Sequence, residues 1–204
     1  MTKRKSGISS LIELVVIVAI ALALAFGIQA FLIKPYRIPS ESMEPTLAVG
    51  QRVLVNRIGN DFNNPSVGEI VVFHPPQGAV DPTGGKCGVQ VSAGELCPKP
   101  TAKEASVNFI KRVVAGPGDR ISVINGHVIR NGKLQKESFI RPCPAGGETC
   151  TFNHTITIPP GYWFMMGDNR GQSDDSRFWG PVPKKWIIGG AFFTYWPLDR
   201  IGFL

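Results

Sequence analysis

The stretch IPSESMEPTL, Ile38 to Leu47, sets three hydroxyls (Ser40, Ser42 and Thr46) around two prolines. Such a hydroxyl is a weak nucleophile until a base takes its proton. Histidine is the familiar base, and the chain has three. His74 precedes Pro75-Pro76, His127 follows a turn signal, and His154 lies in the run NHT. None has a neighbouring acid at an informative spacing, so each reads as a surface or strand-end residue. Lysine is the other known base for serine. The run NFIKRVVAGPGD, Asn108 to Asp119, places Lys111 and Arg112 between apolar residues on a strand-like pattern. Arginine does not give up its proton in proteins, so the chemistry selects Lys111. Burial among Phe and Val would disfavour its ammonium and lower its pKa, and a fall from about 10.4 to about 8 would cost roughly 3 kcal/mol of the ammonium's solvation.

Alternation gives a further constraint. Phe109, Lys111 and Val113 share one face of such a strand, and Ile110, Arg112 and Val114 share the other. One cation must then point toward an apolar side, unless this is an edge strand with two snorkelling cations. A third polar run, GDNRGQSDDSRFWG from Gly167 to Gly180, follows an apolar strand. The acid spacing of a calcium loop is missing, and Arg170 and Arg177 would repel a cation. No metal or other cofactor is expected, and the plain alternative is a polar turn network.

The elements that must position these groups are mostly β. The chain has 204 residues, 43% of them hydrophobic, with 23 Gly and 17 Pro. That composition allows a packed core and suits short strands joined by many turns. QRVLVNR (Gln51 to Arg57), EIVVFH (Glu69 to His74), TITI (Thr155 to Ile158), YWFMMG (Tyr162 to Gly167) and IIGGAFFTYW (Ile187 to Trp196) read as strands. Asn125-Gly126 reads as a type I′ hairpin turn. The Pro/Gly/Lys-rich segment 75–105 reads as a long loop. The net charge is +7, but its 22 Lys and Arg are scattered, so no nucleic-acid partner is expected.

Ahead of these strands, Leu11 to Ile33 is apolar except for Glu13 and Gln29. As a helix it would reach roughly 34 Å, enough for a bilayer core of about 30 Å. A cleavable signal peptide competes, with small residues in ALALA, but apolar residues continue from Phe26 to Ile33 past any such cut. The expected organisation is a cytoplasmic N-terminus (1–10), a single-pass anchor in the cell membrane (11–33) and a β-rich domain outside the cytoplasm (36–204). Lys3, Arg4 and Lys5 before the span against Lys34 and Arg37 after it favour that orientation by a thin margin. The cysteines add to it. Cys87 and Cys97 bracket one Gly/Pro-rich loop, Cys143 and Cys150 another, and neither pair has zinc-knuckle spacing. Three connectivities are open; the two local pairs are favoured, and disulfides imply an oxidising compartment. Four free thiols in a cytosolic domain is the competing reading.

Together PSESMEPTL, KRVVAGPGD and GDNRGQSDDSRFWG resemble, in that order, the nucleophile, lysine and third signature boxes of the type I signal peptidases. GQRVLVNR is similar to a fourth box of the same family, and the N-terminal anchor also matches. The resemblance implies a membrane-anchored Ser–Lys endopeptidase with a β-rich catalytic domain. It assigns Ser42 as nucleophile, Lys111 as general base and Ser40 as oxyanion donor. Ser173 would orient the lysine, and Asp175 and Arg177 would form an ion pair behind the site. Tyr36, Ile38, Met43, Leu47, Phe109 and Ile110 would surround shallow substrate pockets. Glu41, Gln172, Ala115-Gly116 and Gln51 depart from the family pattern without removing a catalytic group. The implied substrates are preproteins cut after small-x-small sites such as Ala-x-Ala. The implied setting is the membrane lipid near the export translocon, with the enzyme monomeric. A related Ser–Lys peptidase with a dedicated substrate and a silent membrane-anchored binding module are the alternatives.

Overall fold

The computed structural model describes residues 7–83, 85–144 and 150–204, with side chains except at 7–10, 28–31, 60 and 61. Most of the segment expected on the cytoplasmic side (1–6 of 1–10) lies outside these. The fold is mostly β. Its larger sheet has eight strands. They are β1 (Ile33–Arg37), β2 (Arg52–Asn56), β3 (Ile70–Phe73), β4 (Phe109–Ala115), β9 (Tyr162–Met166), β10 (Val182–Pro183), β11 (Ile187–Trp196) and β12 (Gly202–Phe203). The order is β1-β2-β11-β3-β4-β9-β10, with β12 on β11. The smaller sheet runs β7-β6-β5-β8, from β5 (Arg120–Ile124), β6 (His127–Arg130), β7 (Lys133–Leu134) and β8 (Phe152–Thr157).

Local chemistry explains the smaller sheet. Asn125 and Gly126 both have positive φ, 50° and 80°, and join β5 to β6 with Ile124 facing His127, as the Asn-Gly signal anticipates. Asn131-Gly132 repeats the device, with φ of 54° and 77°, between β6 and β7. Among its described residues, segment 75–105 carries no strand of its own. Its base is held by Gln77 N–H donating to Lys103 O at 2.8 Å and Ala105 N–H to Pro75 O at 2.8 Å. Cys87 is bonded to Cys97 and Cys143 to Cys150, with Cα atoms 5.6 and 6.2 Å apart.

The N-terminal helix α1 (Gly7–Phe31) is apolar, and its large side chains from Leu11 to Phe26 are 49–67% exposed. Its described side chains, 11–27, cover about 25 Å. Among the described residues no helix is long and apolar enough to cross a membrane. The expected span also differs at its far end. The helix stops at Phe31, and Ile33 already pairs with Asn56 in the sheet. Pro35 is tolerated there because β1 is an edge strand.

β4 is central, paired with β3 on one side and β9 on the other, so the edge-strand alternative does not hold. Both faces are covered. Ile38, Met43, Leu47, Val53, Val55, Ile70, Val72 and Ile110 pack on one. Val71, Phe73, Val113, Trp163, Trp179 and Trp186 pack on the other.

Candidate active site

Three buried side chains hold the hydroxyl-rich segment in place. Ile38, Met43 and Leu47 are at most 1% exposed and plug into the sheet's apolar face. Between them the chain makes one tight helical turn, Glu41–Met43, entered from Ser40 in an extended conformation. Asn169 fastens the turn twice. Its N–H donates to Ser42 O at 3.1 Å, and its Nδ2 donates to Glu41 O at 3.2 Å. Glu41 itself points outward and is exposed.

Ser42 Oγ lies 2.5 Å from Lys111 Nζ and 3.3 Å from Ser40 Oγ. The second contact is long for a hydroxyl pair, whose usual separation is about 2.7–2.8 Å. Lys111 is 4% exposed. Burial pushes its pKa down to about 8, against the opposing pull of Asp175, Asp174 and Asp168; Arg177 adds to the depression. The largest of those charges come from the segment after β9. A lysine with this basicity holds an appreciable neutral fraction near pH 8, which a general base requires.

That segment closes the site from behind. Asp175 caps the short helix α2 (Ser176–Trp179), accepting from Arg177 N–H at 3.3 Å. Arg177 Nε and Nη2 donate to the Asp175 oxygens at 2.8 and 2.9 Å. Nη2 also donates to the carbonyls of Arg170 and Ser173 at 2.8 and 3.0 Å. Burial pushes the Asp175 carboxyl up, but Arg177, Lys111 and the hydrogen bonds outweigh it and hold its pKa below the usual carboxylate value. Ser173 is 7% exposed. Its Oγ makes no hydrogen bond of ordinary geometry among the described residues, and it packs against the backbone of Gly167.

Several contributors were not singled out from residue types alone. Arg112 faces away from Lys111 and donates to Asp168 Oδ1 at 2.9 Å and Oδ2 at 2.7 Å. Its guanidinium also stacks 4.1 Å from the Phe139 ring centroid. Thr46 Oγ1 donates to Asp168 Oδ2 at 2.5 Å, so the third hydroxyl of the opening stretch is structural. Replacing Thr46 by Val should lower stability by about 1–2 kcal/mol, because Asp168 is wholly buried and loses one donor. A denaturation midpoint unchanged from wild type would contradict that role. The clue in the sequence was the run GDNR directly after an apolar strand, where Asp168 and Asn169 sit.

Two adjoining clefts reach the surface here. One, of about 360 Å³, is lined by Ser40, Ser42, Lys111, Gln172 and Asp174 together with Pro39 and Asn108 to Ile110. The other, of about 340 Å³, is lined by Tyr36, Ile38, Val72, Phe109 and Ile110 among others. Met43 and Leu47 line neither and belong to the core. A larger cavity of about 770 Å³ lies under the 85–95 loop, but it contains neither Ser42 nor Lys111. None of the three histidines lines the cleft of Ser42. His74 contacts Val107 O, and His127 and His154 face Glu137 and Glu95.

A family model described as signal peptidase, peptidase S26, matches residues 11–196. A signal peptidase I of Leptolyngbya laminosa is 36% identical over 95% of this chain and 84% of its own. A probable signal peptidase I of Synechocystis is 37% identical over 93% of this chain and 85% of its own. Signal peptidase IB of Staphylococcus aureus is 30% identical over 93% and 92%.

Proposed function

Because the chain belongs to the signal peptidase family, peptidase S26, we propose that it cleaves signal peptides from exported preproteins with Ser42 as nucleophile and Lys111 as base. The observation that carries this reading is the 2.5 Å approach of Lys111 Nζ to Ser42 Oγ in a site where the lysine is buried. Neutral Lys111 takes the Ser42 proton as Oγ attacks the scissile carbonyl. The resulting ammonium returns a proton to the departing amine, whose C–N bond breaks. Water, deprotonated by the same lysine, then attacks the acyl carbon; the C–Oγ bond breaks and the lysine returns the proton to Ser42 Oγ.

Ser40 and the Ser42 N–H hold the developing oxyanion. The long Ser40–Ser42 contact suits this role, since a weakly held hydroxyl can swing to the oxyanion without losing a strong bond. Ser40→Ala should lower kcat by up to about 10²–10³ with KM little changed. An unchanged kcat would remove Ser40 from the reaction. Ser173 is assigned to orient the lysine, and its buried Oγ lies against Gly167 beside the Ser42 carbonyl.

Substrate binds as an extended strand beside Tyr36 to Pro39 and Asn108 to Ile110, with small apolar pockets that suit Ala-x-Ala. The anchor belongs to the same proposal. The exposed apolar face of α1 and its direct passage into β1 favour a membrane helix that keeps the site near the bilayer, with the domain outside the cytoplasm. Incubating the detergent-solubilised chain with an Ala-x-Ala preprotein should give one cut after the second Ala, absent with Ser42→Ala. A cut elsewhere, or one that survives that substitution, would overturn the assignment.

A further inference from the structure

The cleft that holds Ser42 and Lys111 ends at a carboxylate. Asp174 lines it beside Gln172, at the end away from Tyr36 and Ile38. It is the one acidic residue in that lining among the described residues. Since Lys111 must be neutral to act, Asp174 carries the charge of the working cleft. Its two oxygens are in different circumstances. Oδ2 meets Lys86 Nζ at 2.5 Å, and Lys86 comes from the disulfide-bonded loop, next to Cys87. Oδ1 is shielded from solvent and has no hydrogen-bond partner among the described residues. The side chains of Lys86 and Asp174 are 52% and 39% exposed, so their pair is weak and open to exchange.

The direction of the substrate follows from the two clefts. They share Pro39 and Asn108 to Ile110, so a strand lying in the cleft of Tyr36 and Ile38 passes Ser42 and leaves past Gln172 and Asp174. Residues before the cut occupy the cleft of Tyr36 and Ile38, which puts residues after the cut beside the carboxylate.

We propose that Asp174 is a specificity-determining residue, favouring substrates with a cationic side chain in the first residues after the cut, and that Lys86 is the internal cation such a side chain displaces. The inference rests on the proposed peptidase reading. An uncharged substrate would leave the Lys86–Asp174 pair intact, and an acidic one would meet repulsion.

The test uses the full chain in detergent micelles and three peptides that share one Ala-x-Ala site. They carry Lys, Gln or Glu at the second position after the cut. Cleavage of the Gln peptide by wild type, lost with Ser42→Ala, tests the peptidase reading by itself. The ratio of kcat/KM values between peptides tests the inference, with each enzyme measured on its alkaline plateau. Wild type should favour Lys over Glu by about two- to fivefold, the range of an exposed charge pair. Asp174→Asn should bring the ratio near one, and Lys86→Gln should widen it. A wild-type ratio that persists in Asp174→Asn, or one that narrows in Lys86→Gln, overturns the proposal.

Discussion

Lys111→Met will abolish cleavage and yet make the protein more stable at pH 6. The loss of activity follows from removing the base: general-base catalysis contributes about 10²–10⁴-fold, and neither Arg112 nor any histidine is placed to substitute. The gain in stability follows from linkage. Lys111 has a pKa of about 8 in the folded chain against 10.5 as its ordinary value. Between those values the unfolded chain binds more protons, so folding stability rises with pH there; below about 8 the whole penalty of the buried ammonium is present. Methionine fills a similar volume without that penalty. The variant should therefore gain about 1–3 kcal/mol at pH 6, and the gain should fade as the pH approaches 10.5. Thermal unfolding of both proteins across that range reads the difference. In wild type the same lysine gives a kcat/KM that rises with pH through about 8. A stability difference that does not change with pH, or a rate that follows a free amine, would refute the buried-base account.

The residues that made this prediction possible were only partly readable from the sequence. Alternation put Lys111 and Arg112 on opposite faces of one strand, and that arrangement is present in β4. It did not say what would cover each face. The answer came from a segment more than fifty positions later, where Asp168 takes Arg112 and Asp175 lies near Lys111. The hairpin at Asn125-Gly126 was readable because its backbone demand is local: both residues adopt positive φ. The pairing of Cys87 with Cys97 was readable for a similar reason, since it closes a short loop. Met43 and Leu47 show the limit. Their place in the signature box suggested pocket walls, but their spacing with Ile38 makes them core plugs that aim the Ser42 turn. Glu41 between the two serines is exposed and is not among the largest charges acting on Lys111.

Arg177→Met should be strongly destabilising. Arg177 is 1% exposed and Asp175 is fully buried. Removing the guanidinium leaves a buried carboxylate without its cation and takes a donor from the carbonyls of Arg170 and Ser173. Breaking a buried pair in this way costs about 3–5 kcal/mol. For a domain of this size that is a fall in Tm of roughly 6–20 °C. The sign of the pH dependence distinguishes this from simple loss of packing. In wild type the Asp175 pKa is held low, so its contribution is present at neutral pH and lost only as pH falls through that low value. Without Arg177, burial raises the carboxyl's pKa, and protonation relieves the uncompensated charge. The deficit of Arg177→Met should then shrink between pH 7 and pH 4. Adding Asp175→Asn should recover part of the loss, because Asn can still cap α2 and carries no charge to strand. A double variant no more stable than Arg177→Met would show that the cavity, and not the orphaned carboxylate, sets the cost. Asp175→Asn alone has a separate signature at the active site. Asp175 is the strongest attraction favouring the Lys111 ammonium, so its neutralisation should move the rising limb of kcat/KM to lower pH.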